Sequence, residues 1–246
     1  MNELLFFVHI ITVVAFTFCA LALGRSALVA VICLQAVLAN LFVLKQINLF
    51  GLPVTCGNVF AIGSVFGLNL LQEYFGKDVA KKAVLISFFT VIFYLIVSQF
   101  HILYIPNSFD TTQHMFRGLL GLMPRITIVS VLAFFVCQRF GRFVYAVLNN
   151  LFAGKFLTAR NIISTSIEQL FDTALFTFFA LYGIVESVWS IMLLSFVVKG
   201  IIIFASSPFI SLSYFIMRRL RVTILPARVD RGPVFKNNRV QKRVEQ

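Results

Sequence analysis

Six polar residues in one mostly apolar stretch are the first candidates for chemistry: Ser164, Thr165, Glu168, Gln169, Asp172 and Thr173. Ser164, Glu168 and Asp172 follow one another at four-residue spacing, so a helix sets them on one slowly drifting stripe. Two carboxylates and an amide on such a stripe can accept several hydrogen bonds from a planar, donor-rich ligand, or hold a coupling cation. Lys199 stands alone in the next apolar run. It can close a bundle by pairing with Glu168 or Asp172, contact a ligand, or do both.

Weaker candidates lie elsewhere. Asn69 and Glu73 share a helix face, with Gln72 between them. Glu73 precedes Lys77 by one helical turn, which offers it an interfacial ion pair. Asn40 and Lys45 close an earlier run, and Arg125 and Gln138 belong to a later one. Arg125 can equally snorkel to headgroups. Pro208, just after Ser206 and Ser207, is expected to kink the last run, with the hydroxyls satisfying the freed carbonyls.

The surroundings make these groups costly. Of the 246 residues, 60% are hydrophobic and only 12% charged, where a soluble domain needs roughly a quarter charged. Mean hydropathy is +0.95. Leu4 to Leu23, Ala27 to Leu44, Val54 to Gln72 and Ala83 to Phe109 contain no Asp, Glu, Lys or Arg, the last run losing its apolar character near Ile105. Each can span a bilayer core, for which about 20 residues suffice. Three more segments are mostly apolar but carry charge: Ile126 to Leu151, Asn161 to Gly183 and Ser190 to Met217. A charge at the bilayer centre costs a few kcal/mol and needs a partner or a watered cavity.

An all-α, polytopic membrane bundle of about seven helices is therefore expected. Continuous rather than alternating apolar runs speak against a β-barrel. The first run is read as a retained helix, because no basic region precedes it and it is long for a signal peptide. Breakers mark the connectors: Gly24, Gly51 to Pro53, Gly76, Pro106 to Pro124, Gly154 and Gly183. Residues 1–220 form the transmembrane domain in this reading, and 221–246 a basic, disordered tail.

Charge sets the orientation. With the tail on the cytoplasmic side, alternation leaves only Lys45, Arg117 and Arg125 outside and Lys199 within the membrane, of 21 basic residues. That bias follows the positive-inside rule for a bacterial inner membrane, with the N-terminus outside and the C-terminus cytoplasmic. The net charge of +12 is then explained by lipid headgroups, without nucleic acid as a direct partner.

Soluble-enzyme signatures are absent: no G-x-x-x-x-G-K-[ST], no H-E-x-x-H, no G-x-S-x-G. Cys19, Cys33, Cys56 and Cys137 have no C-x-x-C spacing, and His9, His101 and His114 no metal-ligand spacing. Neither a cofactor nor a metal is expected, and a carboxylate pair without a nucleophile argues against an intramembrane enzyme.

Four stretches together resemble the queuosine precursor transporter family, also called the vitamin uptake transporter family. They are Ala39-Asn40 with Lys45 and Asn48-Leu-Phe-Gly-Leu-Pro; Asn69-Leu-Leu-Gln-Glu73-Tyr-Phe-Gly76 with Ala80-Lys-Lys82; Arg125, Ser130, Ala133-Phe134 and Gln138; and Ser164-Thr165 through Gln169 and Asp172-Thr173 to Lys199 and Pro208. They cover about residues 36 to 220 in the family's order and spacing. Asn69 stands where the family has an acid, and Gly141 where it often has one.

The resemblance implies a six-helix core, to which the first helix is an addition. It implies import of a 7-deazaguanine, as the cyano or aminomethyl precursor or queuine, for tRNA modification. The implied substrate-binding residues are Glu168, Gln169, Asp172, Lys199, Glu73, Asn69, Asn40, Gln138 and Arg125. Glu168 or Asp172 would take the amine edge of the base, Gln169 and Asn69 would supplement it, and Phe rings would stack on it. The alternative is a substrate-binding membrane subunit for another vitamin-like heterocycle, working with a separate energising partner. A homodimer is compatible with either.

Overall fold

The computed structural model describes residues 1–152, 157–185 and 187–200. In chain order the elements are α1 (Asn2–Leu23), α2 (Arg25–Phe42), β1 (Gln46–Leu49), β2 (Leu52–Thr55), α3 (Gly57–Phe75), α4 (Lys77–Leu103), α5 (Gln113–Leu120), α6 (Met123–Leu151), α7 (Leu157–Leu181) and α8 (Val188–Gly200). Gly154, the side chain of Thr165, Pro208 and the basic tail lie outside the described residues.

The expected all-α membrane bundle is what forms. Asn2–Leu23, Arg25–Phe42, Lys77–Leu103 and Gln113–Leu148 are long and apolar enough to cross a bilayer. Helices α3 and α7 fall short of that measure because they carry glycines and polar residues, and α8 is apolar but shorter among the described residues. Large apolar side chains point outward: α4 exposes Leu85, Phe89 and Phe93, and α6 exposes Leu132 and Phe135. In water such a surface would drive association, but hydrocarbon solvates it without cost.

Neighbouring helices run up and down. Single glycines with positive φ, Gly24 (107°) and Gly76 (91°), join α1 to α2 and α3 to α4. A side chain at that φ is strained, so the reversal is built where Cβ is absent. One buried cluster, with Leu21, Leu28, Ile32, Phe66 and Leu70, packs α1 to α4 at this glycine end. A second, with Met123, Ile126, Leu181 and Ile191, packs α6 to α8 at the opposite end.

Two features differ from the sequence expectation. The stretch Gly51 to Pro53, expected as a plain connector, lies within a two-stranded antiparallel hairpin in which Leu49 pairs with Leu52 and Ile47 with Val54. Phe50 (φ 52°) and Gly51 (φ 79°) form its two-residue tip, the positive-φ pair that matches strand twist. Leu49 and Val54 are buried against Phe6, Val13 and Val59, so the hairpin is anchored to α1 and α3. The third helix accordingly begins at Gly57 rather than at Val54. The stretch Pro106 to Pro124, expected as a connector, contains α5, and Pro124 sits in the first turn of α6, where its missing N–H costs nothing.

The start of α3 lies directly against the backbone at the end of α2 at Gly57. A Cβ there would lie 2.6 Å from the Ala39 carbonyl oxygen and 3.0 Å from Val43 Cα. Both are backbone atoms and cannot turn aside, so Gly57→Ala is expected to cost about 1–3 kcal/mol. Thermal unfolding of the detergent-solubilised protein should show a lowered midpoint. Gly118→Ala on α5 serves as the control, since nothing lies within 4 Å of its Cβ position and helix propensity favours alanine.

Candidate functional site

Helices α7 and α8 meet through their polar residues. Lys199 Nζ donates to Asp172 Oδ2 at 2.9 Å and to Thr173 Oγ1 at 3.1 Å. The Thr173 hydroxyl in turn donates to the Gln169 carbonyl at 2.7 Å. The Lys199 and Asp172 side chains are 21% and 31% exposed, so the pair is mostly shielded. Of the two pairings open to Lys199, the structure shows the one with Asp172. By helical rise, Asp172 lies roughly 22 Å along α7 from Leu157 and 14 Å from Leu181, well inside that helix.

The pair faces a cavity of about 280 Å³. Among the described residues six helices line it: Asn40 comes from α2, Ser64 from α3, Phe88 from α4, Ser130 from α6, Asp172 from α7 and Lys199 from α8. Helices α1 and α5 contribute no lining residue. Asn40 is buried and uses its Nδ2 on the Ala36 carbonyl at 2.8 Å, which orients the amide. The Ser64 hydroxyl is buried and has no hydrogen-bond partner among the described residues. Phe88 and Phe134 meet edge to face, with ring centroids 4.5 Å apart, and form an aromatic wall.

Of the sequence candidates, the cavity gathers Asn40, Asp172 and Lys199. Glu168 lies one turn from Asp172, half-buried, towards the other end of α7. Its carboxylate packs against Gly141 of α6, where a Cβ would collide with it. The absence of an acid at 141 therefore leaves room for the acid at 168. Next to it the buried Ser164 hydroxyl donates to the Gly141 carbonyl at 3.3 Å, and the buried Cys137 thiol sits beside the Asp172 carboxylate.

Gln169, Asn69 and Glu73 are half-buried on α7 and α3, and Gln138 is exposed on α6; none of the four lines the cavity. Arg125 lies at the far end of α6. Its guanidinium donates to the carbonyls of Phe179 (3.0 Å) and Tyr182 (2.7 Å), so a cation closes the last turn of α7. Ser64, Ser87 and Phe88 line the cavity but were not singled out from the sequence. Serine and phenylalanine inside apolar runs leave no distinguishing signal, because both are at home in membrane helices.

A multi-pass helix bundle with a small cavity lined by a lysine–carboxylate pair fits a membrane transporter. Residues 55–213 match the family described as "Putative vitamin uptake transporter". The chain belongs to that family. It is 35% identical over 189 residues to the "Probable queuosine precursor transporter" of Bacillus subtilis (strain 168), covering 76% of this chain and 82% of the relative. No solved structure matches the chain.

If the ion pair mainly offsets two buried charges, its members are coupled. Removing one partner leaves the other unpaired in a poorly solvated place, which is the expensive outcome. Asp172→Ala and Lys199→Ala should each lower stability by about 1–3 kcal/mol. The double variant should lose clearly less than the sum. Equilibrium unfolding of the three proteins in detergent measures the cycle, and strict additivity would refute the coupling.

Proposed function

We propose that this protein imports a queuosine precursor, a 7-deazaguanine base, across a bacterial cytoplasmic membrane for use in tRNA modification. The observation that carries the reading is the Asp172–Lys199 pair at the cavity, one acceptor and one donor of opposite charge held side by side. The polar edge of a deazaguanine has the complementary order: an exocyclic amine and a ring N–H, then a carbonyl oxygen. Asp172 accepts from the amine and N–H, and Lys199 donates to the carbonyl. Asn40 and the Ser64 hydroxyl are within the same cavity for the remaining ring groups.

Phe88 and Phe134 supply the apolar wall that a flat ring requires. The volume of about 280 Å³ falls at the small end of ligand pockets, roughly 300–1,000 Å³. That suits a base rather than a nucleoside. The relative's name supports the same substrate class. The bias of basic residues towards the Gly24 and Gly76 end supports a cytoplasmic side at that end and a cytoplasmic C-terminus. Release to that side needs the bundle to open there in turn.

Expression in bacteria lacking both queuosine synthesis and their own transporter tests the proposal. Cells fed a deazaguanine at low concentration should regain queuosine in tRNA only when they carry this chain. Asp172→Asn should cut that recovery by roughly tenfold or more, as loss of a charge-assisted contact does. Full recovery with Asp172→Asn at normal membrane levels would remove the assigned role. No recovery with the wild-type chain present in the membrane would refute the substrate.

A further inference from the structure

We infer that a phospholipid with a net negative headgroup binds along α7, with its phosphate on Arg125 and its two acyl chains in a pair of apolar grooves. The inference concerns the lipid-facing side of the bundle and does not depend on the substrate proposed above. Two grooves run beside α7 and share Leu175 and Phe179 as the ridge between them. The first, of about 330 Å³, lies between α7 and α8 and runs from Phe171 to Tyr182 and Trp189. The second, of about 270 Å³, lies between α7 and α6, beside Val129, Leu132 and Val136. Apart from the Tyr182 phenol and the Trp189 indole, every side chain lining them is a hydrocarbon or a thioether.

Arg125 stands at the head of both grooves. Its guanidinium is fixed on the carbonyls of Phe179 and Tyr182, two residues of the first groove. Val129 of the second groove follows it by one turn of α6. The two bonds use two of the five guanidinium N–H donors and leave three. They also leave the charge uncancelled, since among the described residues no carboxylate pairs with Arg125, which is exposed. Tyr182 and Trp189, 61% and 75% exposed, stand at the same end, and such rings settle at headgroup depth. From Tyr182 to Phe171 the first groove descends roughly 16 Å by helical rise. That is about half of a roughly 30 Å hydrocarbon core, the depth of one leaflet.

The apolar walls alone do not choose an occupant. Every lipid chain offers them similar dispersion contacts, and hydrocarbon on both sides leaves no hydrophobic drive. The choice is made at Arg125. A guanidinium with spare donors takes a phosphate bidentately. A choline headgroup brings its own cation against that arginine, whereas a glycerol headgroup brings none. The bound lipid straddles the ridge of Leu175 and Phe179, one chain to each side.

The test is photolabelling of the purified full-length protein in lipid nanodiscs, using a trace of phosphatidylglycerol with a diazirine on each acyl chain. The bulk lipid is either phosphatidylcholine or unlabelled phosphatidylglycerol with the same chains. Adducts should concentrate on residues 129–136 and 171–192. Their yield should be about fivefold lower in phosphatidylglycerol discs, where bulk lipid competes for Arg125. Adducts on Phe89 and Phe93, exposed on α4, should be equal in the two discs. Arg125→Gln should abolish the difference, and Val136→Trp should reduce adducts on α6 while sparing those on α8. Equal yields in the two discs for wild type would overturn the inference even if Arg125→Gln cannot be purified. A difference that persists in folded Arg125→Gln would overturn the role of Arg125. Adducts spread evenly over α4 and α7 would reduce the grooves to ordinary annular contact and refute the site.

Discussion

A charge inside hydrocarbon must be neutralised or solvated, and the arrangement of the last described helices follows from that constraint. Lys199 alone on α8 would be a heavy insertion penalty. Opposite Asp172, with Thr173 as a second acceptor, it becomes the link between α7 and α8. That link needs the two helices close and in one register. The buried contacts of Ala180, Leu181 and Ile191 nearer the hairpin end maintain it. Gly141 lets α6 approach α7 on the other side, where Glu168 and Ser164 take up the freed space. The charged groups of α7 and α8 are therefore gathered in one region of the bundle. They collect where three helices are held by contacts that lipid cannot replace.

The cavity lies between the two packed clusters that close the bundle at its ends. On the α1 to α4 side the packing is mainly apolar, but a polar thread crosses it: Gln35 Nε2 donates to Thr17 Oγ1 at 3.0 Å, and Thr17 donates to the Val13 carbonyl at 2.8 Å. This thread, with the Phe18–Phe66 edge-to-face contact at 5.2 Å, fastens α1 to the bundle without bringing it to the cavity. The hairpin adds a further tie, because the Phe50 N–H donates to Glu3 Oε1 at 3.2 Å. Helix α1 is thus an outer brace, and the cavity walls are left to six of the helices that follow.

The fold was legible in the sequence to the extent that it depends on length and apolarity. Uninterrupted runs such as Leu4 to Leu23 can do little other than span, and Gly24 and Gly76 mark reversals because the connectors are one residue long. The hairpin was hidden because its strands are four residues each and Pro53 reads as a breaker. Only the alternation of Gln46, Ile47, Asn48 and Leu49 ahead of Gly51 hinted at pairing. Helix α5 was hidden for a related reason, being eight residues long with Arg117 and Gly118 inside it. At the site, Asp172 and Lys199 announced themselves because charge is rare in these segments. Helical periodicity could not say which carboxylate Lys199 would meet. Glu168 and Asp172 share a stripe, and only the placement of α8 distinguishes them. Ser64, Ser87 and Phe88 carry no such mark, and three-dimensional convergence alone selects them.

The connectors differ sharply in length between the two ends of the bundle. Where α1 meets α2 and α3 meets α4, one glycine is the whole linkage, so those helix pairs have no slack and can only pivot about a shared point. At the opposite end the chain between α2 and α3 and between α4 and α6 runs through the hairpin and α5, which leaves ample contour to part. Within α1 to α4, a rocking movement would therefore have its fulcrum at the glycine end and its wide excursion at the hairpin end. The lever arm is set by the length of a membrane-spanning helix.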